Sequence, residues 1–310
     1  MRGREVAVAL GLAMILSALS SARAQQSVND WAAALNEGYL VYPDQQYSYS
    51  SAVALKLDVW QAQTKEPVPT LIYYHGGGWF FGDRTGALPY LMPWLARGWN
   101  VVNVEYRMSG TALAPAAVED ARCALRWVYR NAEHYHLDTK RIVVTGQSAG
   151  GHLALMAGML TESDGLDENC PADASSEPPL KVAAVIDWYG PTDLNDIIAG
   201  ANKKTYAQAW LGTQLNKSVQ AERVSPIRHV HPGLPPILLL HGDDDPTVPY
   251  QQSVRLHKLL DDAHQINELY TIHGGRHGMF GEAEDVKAYK EVWRFLKQYA
   301  GIDVQLNAAH

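Results

Sequence analysis

Short apolar runs and amphipathic stretches take turns along most of this chain. Residues 55–60 alternate apolar and polar side chains, the period of a half-buried strand. The runs 70–74 and 101–106 are short, rich in β-branched and aromatic residues, and bounded by glycine or proline, as buried strands are. From 115 to 136 the period becomes helical. Pro115 stands near the start, and Val118, Ala121, Leu125 and Val128 share one face. A buried strand over 142–145 leads into a helix over 148–160 that is rich in Ala, Leu and Met. A polar loop covers 161–179 and a strand 182–188. The stretch 190–235 is irregular with helical pieces and could supply a small lid. Strands over 237–240 and 268–272 flank a helix over 251–263. A closing helix over 282–299 spaces Val286, Tyr289, Val292, Trp293, Leu296 and Tyr299 for burial.

Strands that alternate with helices in this way predict an α/β fold with a mostly parallel central sheet and helices on both faces. Only a short segment precedes the first strand, so a cap built there is small or absent. There is no internal repeat and no long linker, and 25–310 reads as a single domain. Residues 1–24 read differently. Arg2 and Arg4 precede an apolar run over 6–19, and Ala22-Arg23-Ala24 closes the segment. That is the pattern of a secretory signal peptide cleaved after Ala24, and it predicts a secreted or periplasmic protein. The apolar run is short for a membrane span, and no later stretch is long and apolar enough, so stable membrane insertion is not expected.

Composition narrows the reading further. The 310 residues are 47% hydrophobic and 19% charged, an ordinary globular balance. The net charge of −7, with no run of Lys or Arg, excludes a phosphate-binding stripe, so no nucleic-acid partner is expected. Export makes a disulfide between Cys123 and Cys170 permissible, and the sequence leaves a bridge and two separate thiols equally open. There is no H-E-x-x-H or C-x-x-C, and neither a metal nor a cofactor is implied.

The chemistry-bearing signals follow predicted strands. Gly146-Gln147-Ser148-Ala149-Gly150 is a G-x-S-x-G between a strand and a helix. There a tight turn lifts the serine hydroxyl above the sheet and places it at a helix N-terminus. His75-Gly76-Gly77-Gly78-Trp79 follows the strand 70–74. Its glycines let backbone N–H groups approach a substrate oxygen. The amides of Gly77, Gly78 and Ala149 are the expected oxyanion donors, and His75 is expected to hold the loop. A phosphate-binding loop is the competing reading, but the P-loop lysine and the G-x-G-x-x-G spacing are missing. A serine needs a base, and the base needs a carboxylate to fix its tautomer. His277, in the loop Gly274-Gly275-Arg276-His277-Gly278, is the candidate base, with His273 as its rival. Asp243, Asp244 and Asp245 are adjacent and leave the acid open, with Asp193 a weaker candidate. The order Ser, Asp, His is the one this kind of fold uses.

Taken together, the chain resembles exported bacterial esterases of the feruloyl and acetylxylan esterase type, the BD-FAE-like branch of the α/β-hydrolase fold. These are relatives of the hormone-sensitive-lipase-like carboxylesterases. The resemblance rests on His75 to Trp79 with Gly82-Asp83, Glu105-Tyr106-Arg107, Ala114-Pro115 with Glu119-Asp120, Arg126-Trp127, and Gly146 to His152. It is completed by the acid motif over 241–249 and the base loop over 274–278, and it covers about 47–299. Gln147 departs from it, since many relatives carry Asp or Glu before the nucleophile. The resemblance implies Ser148 as nucleophile, His277 as base and Asp245 as acid, with Asp243 and Asp244 capping the turn or facing solvent. It implies a carboxylesterase acting on short-chain or aromatic acyl esters, on small molecules or polysaccharides. Rival readings are an amidase or peptidase of the same fold, and a catalytically silent binding module.

Overall fold

The computed structural model describes residues 35, 37–168, 170, 179–213 and 216–303. The proposed signal peptide lies outside the described residues. Eight strands form one sheet: β1 (Tyr39–Ser50), β2 (Val53–Ala62), β3 (Pro69–Tyr74), β4 (Asn100–Val104), β5 (Asp138–Gln147), β6 (Ala184–Trp188), β7 (Ile237–Gly242) and β8 (Asn267–Ile272). Their spatial order is β1-β2-β4-β3-β5-β6-β7-β8. β2 pairs antiparallel with β1 and β4, and every pairing from β4 onward is parallel.

Every residue of β3, β4, β6 and β7 is buried, as strands covered on both faces must be. The two-residue period of the strands then sorts side chains between two cores. Ile72, Tyr74, Val102, Val104, Val144, Val185 and Leu239 point to one face. There they meet α2 (Ala116–Asn131), α3 (Ala149–Met159) and α7 (Gln251–Asp262). Leu71, Tyr73, Val101, Val143, Ile186, Leu238 and Leu240 point to the other face. That face packs on α1 (Leu88–Leu95) and α8 (Glu282–Ala300). Between β6 and β7 the chain makes a small cap from α4 (Leu194–Ile198), α5 (Thr205–Leu211) and α6 (Lys217–Arg223).

Three local expectations are revised. Residues 39–50 form an edge strand that hydropathy does not announce, because Pro43, Asp44 and its exposed positions interrupt the alternation. α2 ends at Asn131 instead of 136, where His136 takes a left-handed backbone conformation. Val286, spaced for burial on α8, is instead half exposed, while Val292, Phe295 and Leu296 carry the packing. Cys123 on α2 and Cys170 are joined in a disulfide. The loop before Cys170 is brought onto α2 by Asp167, which accepts hydrogen bonds from Arg122 (2.9 Å) and Arg126 (3.0 Å).

Candidate active site

The site sits at the C-terminal ends of the parallel strands, where loops from β3, β5, β7 and β8 converge. Ser148 occupies the single step between β5 and α3, with φ 55° and ψ −119°. A positive φ at a residue with a side chain is costly, and persists only where the surroundings impose it. The surroundings here are backbone. A Cβ on Gly146 would lie 2.3 Å from the Tyr74 carbonyl oxygen, and one on Gly150 would lie 1.9 Å from it. α3 can therefore approach β3 only with glycine at both positions. On the other side, the Ser148 N–H donates to the Trp188 carbonyl at the end of β6 (2.9 Å). The next residue inward on β6, Asp187, is fully buried beneath this turn and accepts from the Gly190 N–H (2.9 Å).

His277 comes from the turn between β8 and α8. Its Nε2 lies 2.8 Å from Ser148 Oγ, and its Nδ1 lies 2.6 Å from Asp245 Oδ2. A carboxylate only accepts, so Nδ1 carries the proton and Nε2 is left to accept from the serine hydroxyl. Asp245 Oδ1 accepts from the backbone N–H groups of Thr247 (2.7 Å) and Val248 (2.9 Å). Burial pushes the Asp245 carboxyl up. Hydrogen bonds from His241, His277 and Val248 and the charge of His277 outweigh that, and hold it well below the usual carboxylate range. The rival groups lie elsewhere. Asp243 accepts from Gly274 N–H (2.6 Å) and pairs with exposed His273 (2.8 Å), while Asp244 is exposed. Asp193 caps α4 and pairs with Arg255 (3.1 Å).

The loop after β3 forms the facing wall. Gly77 has φ +119°, and a Cβ there would meet the Phe81 carbonyl oxygen at 1.8 Å. The Gly77 carbonyl accepts from the N–H groups of both Phe80 and Phe81 (3.1 Å each), which folds the loop back on itself. His75 is buried and stacks on Tyr106, with ring centroids 4.4 Å apart. Its Nδ1 bonds the Gly76 carbonyl (2.7 Å), and burial holds the ring below the usual histidine range. Trp79 stacks on Trp210 of α5 (centroids 4.1 Å, planes 11° apart), and both rings stand nearly perpendicular to His152 on α3.

Ser148, His277, Gly77 and Gly78 open into a cavity of about 780 Å³. Ala149 begins α3 directly behind the serine, with its N–H among the first-turn donors that lack an intrahelical acceptor. Phe80, Phe81, Tyr90, Tyr189, Tyr206 and Met279 make much of the remaining wall, and among the described residues no Asp, Glu, Lys or Arg lines it. Phe80, Phe81, Tyr90 and Met279 are exposed at the mouth. These apolar walls escape sequence reasoning because they come from five separate segments. The one local signal is the Phe80-Phe81 pair just after the glycine loop. Among the described residues there is no cluster of three metal-ligating side chains. A hydroxyl, a base and a buried carboxylate in line, beside glycine amides, form an arrangement suited to acyl transfer to serine.

Comparison with known proteins sets the chain beside esterases. The BD-FAE family model matches residues 57–260. The chain is 31% identical over 242 residues to Esterase LipQ of Mycobacterium tuberculosis, covering 75% of this chain and 56% of LipQ. It is 29% identical over 218 residues to Esterase LipC of the same organism, covering 66% and 52%. It thus spans about half the length of these curated relatives. Among solved structures, a truncated form of a carbohydrate esterase from gut microbiota superposes with a TM-score of 0.73 at 28% identity, covering 85% of this chain and 98% of that one. A propionate-bound thermophilic esterase from the Planctomycetes species Thermogutta terrifontis gives 0.67 at 26% identity, covering 84% and 93%.

Proposed function

The chain belongs to the BD-FAE family, and on that premise we propose that it is a serine carboxylesterase that hydrolyses short-chain or aromatic acyl esters. One observation carries the proposal: the unbroken hydrogen-bonded chain from Ser148 Oγ through His277 to Asp245, at 2.8 and 2.6 Å, opening into an uncharged aromatic cavity. His277 Nε2 takes the hydroxyl proton as Ser148 Oγ bonds to the ester carbonyl carbon. The carbonyl π electrons move onto oxygen, where the amides of Gly77, Gly78 and Ala149 receive the negative charge. Collapse expels the alcohol, which leaves with the proton from His277. Water then attacks the acyl-serine, giving its proton to His277, and the acid departs as Ser148 regains its hydrogen. Asp245 stays ionised throughout and faces the imidazolium. No cofactor enters any step.

The substrate is neutral near the scissile bond, since among the described residues no Asp, Glu, Lys or Arg lines the cavity to fix a charged group. The exposed rings at the mouth suit a flat acyl or sugar face, which favours esters carried on a polysaccharide as well as small ones. The cap carries Lys203 and Lys204 just ahead of α5 and Lys217 and Arg223 on α6, charges that do not suit docking on an oil surface. We read 1–24 as an export signal and 25–310 as the catalytic domain. The Cys123–Cys170 bridge fits an oxidising compartment.

The test is a panel of p-nitrophenyl esters of increasing chain length beside feruloyl and acetyl sugar esters, run with the native protein and with Ser148→Ala. We expect the best kcat/KM at acetyl to butyryl or on aromatic acyl groups. Ser148→Ala is expected to retain the fold and lose kcat by roughly 10⁶-fold. Native-like activity in folded Ser148→Ala would remove the assignment. An optimum on long acyl chains with activation at an emulsion surface would replace esterase by lipase.

A further inference from the structure

Asp245 faces two imidazoles, and only one of them has been given a role. His241 is the last residue but one of β7, with its side chain completely buried. Its Nε2 lies 3.0 Å from the Val248 carbonyl oxygen and 3.3 Å from Asp245 Oδ2. Both are acceptors, so Nε2 carries the hydrogen, bonds the Val248 carbonyl with it and reaches Asp245 Oδ2 as a longer second contact that helps hold the carboxyl ionised. Its Nδ1 lies 2.7 Å from Ser253 Oγ on α7, and in the neutral ring this nitrogen accepts from the serine hydroxyl. Ser253 is fully buried as well. The titratable groups facing the ring are Asp245, Tyr250 at the head of α7 (centroids 5.7 Å) and Tyr189 beyond β6 (6.4 Å). Burial holds the Tyr189 phenol neutral.

We propose that His241, oriented by Ser253, is a positioning residue for the acid: its Nε2–H shares Asp245 Oδ2 with His277 and thereby sets the direction and strength of the acid–base hydrogen bond. This rests on Ser148, His277 and Asp245 being the working triad. The assembly runs Ser253, His241, Asp245, His277, Ser148, with the carboxylate at its centre. Two backbone donors hold Oδ1, so rotation of the carboxyl is blocked on that side. On the other side, Oδ2 serves one imidazole that takes up a proton during turnover and one that keeps its tautomer. The N–H of His241 draws part of the negative charge away from His277. Without it, the carboxylate would hold the His277 imidazolium more tightly, and proton return to the leaving group would be harder. A ring that only tied β7 to the Val248 turn would have no such effect on the acid.

The experiment compares His241→Leu, His241→Gln and Ser253→Ala with the native enzyme. It records kcat and KM on p-nitrophenyl acetate across pH, and the far-downfield proton resonance of the Asp245–His277 hydrogen bond. In His241→Leu, kcat is expected to fall about tenfold, the scale of one lost hydrogen bond to a charged group. KM changes little, the acid limb of kcat/KM moves to higher pH, and the downfield resonance shifts. His241→Gln places an amide N–H where Nε2 stood and recovers most of the loss and the native acid limb. Ser253→Ala shows a smaller change in the same direction. A folded His241→Leu with the native acid limb and resonance overturns the proposal, as does a His241→Gln as impaired as His241→Leu. If His241→Leu fails to fold, Ser253→Ala decides, and an unmoved acid limb and resonance in it overturn the proposal. Failure of the triad itself would show separately, as activity in Ser148→Ala.

Discussion

The buried Asp187 carboxyl is expected to cost stability as pH rises, and replacing it with Asn should remove that contribution. The carboxyl is wedged beneath the nucleophile turn. A Cβ on Gly151 would lie 2.2 Å from Oδ1, and among the described residues the Gly190 N–H is its one hydrogen-bond donor and Oδ2 has no partner. Burial pushes the group up to about 7 from an ordinary 3.8, against a partial offset from Gly190. Below pH 3.8 the folded and unfolded chains both carry the proton, and Asp187 contributes no pH dependence. Between 3.8 and about 7 the unfolded chain has released it and the folded chain has not, so each rise in pH favours unfolding. Above about 7 both are ionised and the loss is complete. A separation of about three pKa units, at about 1.4 kcal/mol each, amounts to about 4 kcal/mol. Asn cannot ionise, and its carbonyl still accepts from Gly190. Urea unfolding of the native protein and of Asp187→Asn at steps from pH 4 to 8 measures the difference. The variant's advantage is expected to grow from near zero to a few kcal/mol across that window, with unchanged m-values. A difference that stays constant with pH would refute the reasoning.

Asp245→Asn should lower kcat roughly 10⁴-fold by turning a donor toward His277 Nδ1, whereas Asp243→Asn and Asp244→Asn should leave kcat within about twofold; comparing the three separates them. Equal small effects would return the acid to Asp193. Gly150→Ala forces a methyl into the Tyr74 and His75 carbonyls at 1.9 and 2.7 Å, both backbone atoms that cannot swing away. It should cost about 3 kcal/mol or more and lower Tm visibly, and an unchanged Tm would mean that α3 does not press on β3 as described.

The parts of the molecule legible in the sequence are those whose signals are local. A parallel strand buried on both faces is mostly apolar, so β3, β4, β6 and β7 stand out even with Asn100, Asn103, Asp187 and His241 among them. The turn at Ser148 needs glycines at fixed offsets, and the loop after β3 needs three in a row. β1 was hidden because an edge strand is held by backbone bonds to β2 and owes little to its side chains. α1 was hidden for the opposite reason: Leu88–Leu95 carries two prolines and no charged side chain, so no amphipathic period marks it. The choice among three aspartates depended on which one the β7 turn aims at His277, a distance across 32 positions. The cavity wall and the His241–Ser253 pair are likewise products of folding. Ser253 lies twelve residues beyond His241 and reaches it only because α7 packs back under β7.

The stack of Trp79 on Trp210 has a consequence for how such an enzyme changes over time. Trp79 follows the glycines proposed to receive the reacting oxygen, and Trp210 belongs to the cap helix whose Tyr206 walls the cavity. Selectivity and turnover speed are therefore mechanically geared to one another. A lineage that reshapes α5 to admit a new ester also tilts the indole beneath the loop after β3, so its first variants should be slow on old and new substrates alike. Recovery would then come from second substitutions at the stack, well away from the group being recognised.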